Sequence, residues 1–266
     1  MSVIIPCYNC SGFIARAVES VMSQTGLPSE IILINDGSDD NLLTLKAIQN
    51  LKKKYKSHNI IILQMPSNKG PASARNKGWD YATQTYLAFL DADDAWHPAK
   101  LSIQYEWMRR HPDILLTSHN TLQLENSVLF PKVEIHADFI KVNLRKLILF
   151  NCLPMRTIML KRDVEYRFLP DKRYAEDYHL WLSIALDGHS IYYLNQPLSY
   201  SFKNDFGDLG LTSDIYKTHC GLIDTYRQLL YSKKISTLLF LIAICFIQIK
   251  LLRRYLIVVS RKLFRL

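Results

Sequence analysis

Short apolar runs alternate with longer amphipathic segments over the first 112 residues. The runs are bounded by Gly, Pro, Asn or Asp and predict strands, while the longer segments have the spacing of helices. Alternating strands and helices with nearly continuous apolar strands are typical of a parallel sheet covered on both faces. The predicted strands are 3–5, 31–34, 60–63 and 86–90, and the predicted helices are 12–24, 40–56, 71–84 and 98–110.

From about residue 114 the pattern changes to strands mixed with helices, and no linker separates the two parts. We therefore expect one α/β domain over residues 1–232, with a mostly parallel central sheet and helices on both faces. Its halves divide at about residue 112. The second half is predicted to hold strands at 114–118, 157–160, 191–194 and 198–202, and helices near 136–150, 175–187 and 213–231.

Residues 233–266 form a tail of different composition. The chain has a net charge of +9. The tail holds 8 Lys or Arg residues and no acid, which leaves +1 for the body. A nearly neutral body argues against nucleic acid as a partner, whereas a basic apolar tail favours an anionic membrane surface.

The tail itself divides into two segments. Residues 235–249 carry no charge but are fewer than the ~20 that a spanning helix needs. The rest has the pattern of a helix that lies in a membrane interface. The alternative is that the 235–249 segment packs on the domain as a helix and the rest is a solvated basic helix. The apolar side is predicted to hold Leu252, Leu256, Val259 and Leu263, and the basic side Lys250, Arg254, Arg261 and Arg265.

The five cysteines are scattered and do not indicate a disulfide framework. Cys7 and Cys10 form a Cys-x-x-Cys, but no second pair completes a zinc site. The N-terminus lacks the pattern of a signal peptide. We therefore expect a cytoplasmic protein, peripheral on the inner face of the plasma membrane.

Polar residues follow three of the predicted strands, and in parallel sheets such strand ends form the ligand-binding edge. Asp91 and Asp93 follow the fourth strand, where their carboxylates suit Mn²⁺ or Mg²⁺. The alternative is that this turn only caps the next helix. Asp36 follows the second strand and Tyr8 the first, and Arg75 lies in the helix that begins at Pro71.

Taken in order, four segments resemble the family 2 glycosyltransferases with the GT-A fold, and a fifth resembles that family's acceptor-side Glu-Asp motif. The resemblance covers about residues 1–200. The segments are Ser2-Val3-Ile4-Ile5-Pro6-Cys7-Tyr8-Asn9, Asn35-Asp36-Gly37-Ser38, Asn68-Lys69-Gly70-Pro71-Ala72-Ser73-Ala74-Arg75-Asn76, Phe89-Leu90-Asp91-Ala92-Asp93-Asp94 and Ala175-Glu176-Asp177-Tyr178-His179-Leu180-Trp181.

The resemblance implies an inverting, metal-dependent transfer from a nucleotide-sugar donor, expected to be a UDP-sugar, to a lipid-linked or surface-polysaccharide acceptor. The half before about residue 112 then binds the nucleotide and the half after it binds the acceptor. The implied roles are the nucleotide base for Pro6, Tyr8 and Asp36, the nucleotide for Arg75, the ribose and metal for Asp91, the metal for Asp93, and the general base for Asp177 with Glu176 as its alternate.

The chain departs from the family pattern where Asp39 replaces a common Thr after Asp36-Gly37-Ser38. It also lacks the Gln-x-x-Arg-Trp of processive synthases, which favours addition of a single sugar. Two other classes stay open: a non-catalytic protein that binds nucleotide sugars at a membrane, and a sugar nucleotidyltransferase, which also uses metal-binding carboxylates.

Overall fold

The computed structural model describes residues 1–124, 137–202 and 214–264, with side chains up to residue 260. Residues 136 and 213, where two of the expected helices start, lie outside these ranges, and the side chains of Arg261, Leu263 and Arg265 lie beyond residue 260. The helix expected at 136–150 is wrong in its first half, because Phe139–Lys141 form a strand and the helix begins at Leu144. The elements are β1 (Ser2–Cys7), α1 (Ile14–Met22), β2 (Glu30–Asn35), α2 (Leu43–Lys54), β3 (Ile60–Gln64), α3 (Pro71–Tyr81), β4 (Tyr86–Phe89), β5 (Ala95–Trp96), α4 (Lys100–Arg110), β6 (Leu116–Gln123), β7 (Phe139–Lys141), α5 (Leu144–Leu149), β8 (Met159–Lys161), α6 (Glu176–Leu186), β9 (Ile191–Ser201), α7 (Ile215–Tyr231) and α8 (Thr237–Phe264).

One sheet runs through the domain in the order β3-β2-β1-β4-β8-β6-β9-β5, and β7 pairs with β9 beside this path. Strands β1 to β4 are parallel to one another, as the sequence predicts. The sheet of the second half is mixed rather than mostly parallel. Strands β6 and β9 are parallel, but β8 is antiparallel to both β4 and β6, and β5 and β7 are antiparallel to β9.

Strand β8 runs in the direction opposite to both of its neighbours, β4 and β6. A single 3₁₀ turn at Met155–Thr157 leads into it. The first residue of β8, Met159, pairs with Ala88 near the carboxyl end of β4. Residues 151–158 therefore lie at the same edge as the loops after β1, β2 and β4, which we call the rim.

Strand β9 is continuous where the sequence predicts two strands. The interruption was expected at Asn195, Gln196 and Pro197, which are turn formers. In the structure Pro197 pairs with Asn120 at an irregularity in the β6–β9 ladder. A bulge is a position where a strand tolerates proline, because no ladder hydrogen bond is required from its nitrogen there.

Helices cover both faces of the sheet, as expected. Alternate residues of β1 show the division, since Val3 and Ile5 pack in one core with α1, α2 and α4, whereas Ile4 packs in the other with α3 and α6. Ala243 and Ile247 of α8 are buried in this second core. The apolar segment 235–249 and the basic segment after it form one helix rather than two.

None of the helices within the described ranges is long and apolar enough to cross a membrane.

Four aromatic rings join the two halves beneath the rim. Phe168 lies at their centre, with its ring centroid 6.0 Å from that of Trp79, 5.6 Å from Phe89 and 6.1 Å from Trp181. These rings come from α3, β4, α6 and the loop before α6, so Phe168 fixes the distance between a helix of the first half and a helix of the second.

We predict that Phe168→Ala lowers the free energy of unfolding by about 3–5 kcal/mol, because a ring that is 1% exposed leaves a cavity that its neighbours cannot fill. Urea unfolding followed by tryptophan fluorescence measures this. Phe13→Ala is the matched control, since that ring is 45% exposed and its loss should cost far less. Equal losses in the two variants would contradict the central role of Phe168.

Candidate active site

The loops after β1 and β2 bind each other at the rim. Asn9, whose φ is +47°, donates from Nδ2 to Asp39 Oδ1 at 2.6 Å, and its Oδ1 accepts from the Asp39 nitrogen at 3.1 Å. The Tyr8 hydroxyl donates to the same carboxylate at 3.3 Å. The Tyr8 side chain is nevertheless 43% exposed, and Pro6 lies just behind it, half-buried and paired with Ile34. The predicted residues Pro6 and Tyr8 thus border an open surface.

Asp36 is buried behind this surface and organises the loop before α3. Its Oδ1 accepts from the Lys69 nitrogen at 2.8 Å and its Oδ2 from the Gly70 nitrogen at 2.9 Å. Burial raises the pKa of Asp36 and outweighs these hydrogen bonds. The adjacent Gly37 has a φ of +61°, and a Cβ there would lie 2.4 Å from the Ser67 carbonyl carbon, so only glycine fits.

Arg75 occupies the second turn of α3 and joins the two halves of the site. Its side chain is 6% exposed; Nη2 donates to Asp91 Oδ1 at 2.7 Å and Nη1 to Glu176 Oε1 at 2.7 Å. Burial lowers the pKa of Arg75, but the charges of Asp91 and Glu176 more than compensate and leave it raised. The sequence predicts Arg75 at this rim, but not its position between the two acidic motifs.

The carboxylates after β4 have different environments. Asp91 is 31% exposed beside Arg75, and Asp93 is half-buried, with its backbone carbonyl accepting from Arg16 Nη2 at 2.7 Å. Asp94 is buried, and its Oδ2 lies 3.1 Å from Arg156 Nη1. Burial raises the pKa of Asp94 to about 7 despite that pairing. Asp91 and Asp93 are therefore the two members of this turn that reach solvent.

The pair Asp91 and Asp93 fits a divalent cation that arrives with its substrate. Within residues 1–124, 137–202 and 214–260 no three His, Cys, Asp or Glu side chains are grouped to hold a metal ion by themselves. Mg²⁺ and similar ions commonly bind one or two carboxylates and complete their coordination with substrate phosphates and water. The donor set here suits that kind of site rather than a closed all-protein one.

The acidic residues at the start of α6 face this turn from the second half. Ala175 has a φ of +56°, which turns the chain so that Glu176 points to Arg75 and is buried. Asp177 is half-buried; its Oδ1 accepts from the Tyr178 nitrogen at 2.6 Å, and Asn151 Nδ2 lies 3.5 Å from Oδ2. Burial raises the pKa of both carboxyls, that of Glu176 to about 7, while Arg75 opposes the shift.

Three residues at the site belong to none of the motifs found in the sequence. They are Arg16 in α1, and Asn151 and Arg156 in the segment before β8. Each reaches an acidic motif from a distant part of the chain. Knowledge that β8 pairs with β4 would have pointed to Asn151 and Arg156, because both lie in the segment before β8. The sequence pattern does not specify which strands pair.

The arrangement of motifs at the rim agrees with a comparison against protein families. Residues 2–167 match the model of glycosyl transferase family 2. The chain belongs to this family. The match ends before Glu176 and Asp177, so it covers the motifs after β1, β2 and β4 and leaves the acidic pair of α6 outside.

Relatives of this family 2 chain are named glycosyltransferases. A protein of Rickettsia felis, described as an uncharacterized glycosyltransferase, is 36% identical over 188 residues, which are 70% of this chain and 30% of that protein. The chain thus spans about a third of that relative's length. The UDP-Glc:α-D-GlcNAc-diphosphoundecaprenol β-1,3-glucosyltransferase WfgD of Escherichia coli is 31% identical over 190 residues, 71% of each chain.

The fold is that of solved GT-A glycosyltransferases. The mannosyltransferase PcManGT of Pyrobaculum calidifontis, solved in complex with GDP-Man and Mn²⁺, aligns with 86% of this chain and 64% of its own at a TM-score of 0.65 and 18% identity. The expected GT-A fold is confirmed, with the mixed sheet described above.

We predict that Glu176→Gln flattens the pH dependence of stability. Because burial raises the pKa of Glu176 from 4.5 to about 7, the folded chain binds more protons than the unfolded one between these values. The free energy of unfolding therefore falls as the pH rises through that window, and the variant loses this part of the slope. Urea unfolding across the window measures it. Glu19→Gln, at an exposed position, is the control, and an unaltered slope in Glu176→Gln would refute the assignment.

Proposed function

We propose that this chain transfers one sugar from a UDP-sugar to a lipid-linked glycan acceptor, with metal dependence and inversion at the anomeric carbon. The observation that carries the proposal is the double ion pair of Arg75. It connects the donor-side Asp91 to Glu176, and thereby sets the neighbouring Asp177 opposite the donor edge of the sheet.

The nucleotide lies against the loops after β1 and β2. Tyr8 offers an exposed ring for stacking on a base, and Pro6 borders the same surface. Asp36 has one hydrogen bond to each carboxylate oxygen and retains lone pairs for a base edge. UDP is supported by the name of the Escherichia coli relative, which specifies a UDP-sugar.

Asp91 and Asp93 hold Mn²⁺ or Mg²⁺ with the donor diphosphate. When bound, the cation neutralises the charge that develops on the departing diphosphate. Asp91 also retains Arg75 on Oδ1, which orients that carboxylate. Asp94 is buried against Arg156 and acts as a support for the turn rather than as a ligand.

Asp177 acts as the general base. It accepts the proton of the acceptor hydroxyl as that oxygen bonds to the anomeric carbon and the bond to the diphosphate breaks, so UDP leaves and one inversion results. The raised pKa of Asp177 makes it a better base than an ordinary aspartate. Glu176, the alternate that the sequence offers, is held by Arg75 and is the weaker candidate.

Membrane attachment is supported by the exposed side of α8. Most of its exposed large side chains are apolar, although Gln248 and Arg253 are exposed among them, whereas Lys250 and Arg254 are half-buried against the body. The exposed large apolar residues, which we call the α8 stripe, are Leu238, Leu241, Ile242, Ile249, Leu252, Tyr255, Leu256 and Val259.

We propose that the α8 stripe lies in the surface of an anionic bilayer. The apolar side chains of the stripe can be buried among the acyl chains, and the basic residues of the tail are attracted to the anionic headgroups. The attachment places the enzyme at the cytoplasmic face, where lipid-linked acceptors of the kind named for the Escherichia coli relative are reached.

We predict that Asp177→Asn lowers sugar transfer by about 10²–10⁴-fold while Mn²⁺-dependent UDP binding stays within twofold or so, because the variant removes the base and leaves the donor motifs intact. Transfer from a panel of UDP-sugars to GlcNAc-diphosphoundecaprenol measures the first, and calorimetry measures the second.

Two variants sharpen this test. Asp93→Asn should weaken UDP binding in the presence of Mn²⁺, and Asp187→Asn, at the far end of α6 beside Lys234, should leave transfer unchanged. Full transfer by Asp177→Asn would refute the assigned base. Release of pyrophosphate from a nucleoside triphosphate and a sugar phosphate would show a nucleotidyltransferase instead.

We predict that the double variant Leu252→Gln, Leu256→Gln binds phosphatidylglycerol vesicles at least about tenfold more weakly than the wild type. These side chains are 63% and 62% exposed, so their replacement removes membrane burial without opening the core. Vesicle co-sedimentation measures the effect, with Leu27→Gln, Leu43→Gln as the control. Unchanged sedimentation, together with dimers of the wild type in analytical ultracentrifugation, would assign the stripe to a second copy.

A further inference from the structure

Side chains of α1 and of the turn after it bind the backbone of the segment that follows β4. Arg16 and Ser20 are four residues apart in α1, so they lie on the same side of this helix, and Gln24 follows just after its end. Arg16 Nη2 donates to the Asp93 carbonyl at 2.7 Å, and Ser20 Oγ accepts from the Trp96 nitrogen at 3.0 Å. Gln24 makes two further hydrogen bonds to the backbone beyond. We call Arg16, Ser20 and Gln24 the α1 row.

Arg16 is the member of the α1 row that contacts the proposed metal ligand Asp93. The hydrogen bond goes to the backbone of Asp93, so it fixes the peptide from which the carboxylate extends. Burial lowers the pKa of Arg16, and the charges of Asp93 and Asp94 oppose that shift. The guanidinium remains charged, because an arginine is not deprotonated in proteins. Arg16 therefore places a fixed cation and a fixed donor beside this turn.

Phe202 holds the guanidinium of Arg16 from the second half of the domain. Its ring centroid lies 3.5 Å from Arg16 Cζ, which is the distance of a guanidinium stacked on a ring. Phe202 directly follows β9, and β9 pairs with β5 through Ser199 and Trp96. The hydrogen bond to Asp93 is thus made by a side chain whose own orientation is fixed by packing.

Arg16 has two opposing effects on a cation bound at Asp93. Its charge repels the cation, but water weakens this repulsion at a site open to solvent. Its hydrogen bond holds a ligand in place, and Mg²⁺ demands nearly ideal octahedral geometry from its ligands. The neighbouring acids Asp91 and Asp94 have arginine partners of their own, so each part of the turn is held separately. We expect the positioning effect to exceed the repulsion.

We propose that Arg16 is a positioning residue for the metal ligand Asp93, acting through the Asp93 backbone and held in place by Phe202. This rests on the proposed function, which makes Asp93 a ligand of the cation that accompanies the donor diphosphate. The observation that carries the proposal is the 2.7 Å hydrogen bond from a ring-stacked guanidinium to the backbone of that ligand. Residues that orient metal ligands commonly change metal affinity by about 10–100-fold.

The test measures UDP affinity by calorimetry with and without Mn²⁺. The ratio of the two affinities is called the Mn²⁺ enhancement, and it does not depend on catalytic activity. The variants are Arg16→Met, Arg16→Lys and Ser20→Ala. Methionine keeps an unbranched stem without donor or charge, lysine keeps a charged donor, and Ser20→Ala removes another backbone hydrogen bond of the α1 row. Urea unfolding of each variant measures its stability separately.

We expect Arg16→Met to lower the Mn²⁺ enhancement by about tenfold, while its UDP affinity without Mn²⁺ stays within about twofold of the wild type. Arg16→Lys should retain most of the enhancement, and Ser20→Ala should retain all of it even where its stability falls. An unchanged enhancement in Arg16→Met would overturn the proposal. An increased one would also do so, because it would show that Arg16 acts only through its charge. An equal loss in Ser20→Ala would assign the effect to a general weakening of α1.

Asp93→Asn distinguishes a failure of this proposal from a failure of the proposed function. If the wild type shows no Mn²⁺ enhancement, the metal dependence in the proposed function is wrong, and the role of Arg16 is wrong with it. If the enhancement is lost in Asp93→Asn but kept in Arg16→Met, the metal site stands and only the role of Arg16 is overturned.

Discussion

The buried guanidinium of Arg75 is the interaction on which the site depends. Two carboxylates from opposite halves of the domain meet on it, each at 2.7 Å. Removing one partner of a buried ion pair leaves an uncompensated charge, which costs far more than an exposed pair contributes. Because Asp91 follows β4 and Glu176 begins α6, a single side chain sets the distance between these two acidic motifs.

The surroundings of Arg75 explain why this charge is tolerated. The ring of Phe168 lies 5.7 Å from the guanidinium carbon, and the rings that pack on Phe168 come from α3, β4 and α6. Dry aromatic surroundings strengthen the two ion pairs and keep water from competing for them. Burial in the same arrangement raises the pKa of Glu176, so the electrostatics of this acidic pair are a consequence of the packing below it.

The sequence predicts the local features of this protein well and the pairing of distant segments poorly. Strands β1 to β4 and their helices are evident because the apolar residues of each have the pattern of a buried strand or of a helix. The motifs at the ends of these strands identify the family. Strands β5, β7 and β8 are only two or three residues long, too short to show the alternation of a strand. Arg16, Asn151 and Arg156 escape notice for the same reason, since only the folded sheet brings them to the acids.

The separation of Arg75 and Glu176 along the chain has a consequence for how the protein is made. The two residues are 101 positions apart, and loop closure over that length comes late among folding events. A nascent chain that has emerged only as far as Asp94 already carries the motifs after β1, β2 and β4 but has no partner for Arg75 from α6. The second ion pair of Arg75 therefore forms only after α6 has been made, so the first half of the chain cannot complete this arrangement by itself.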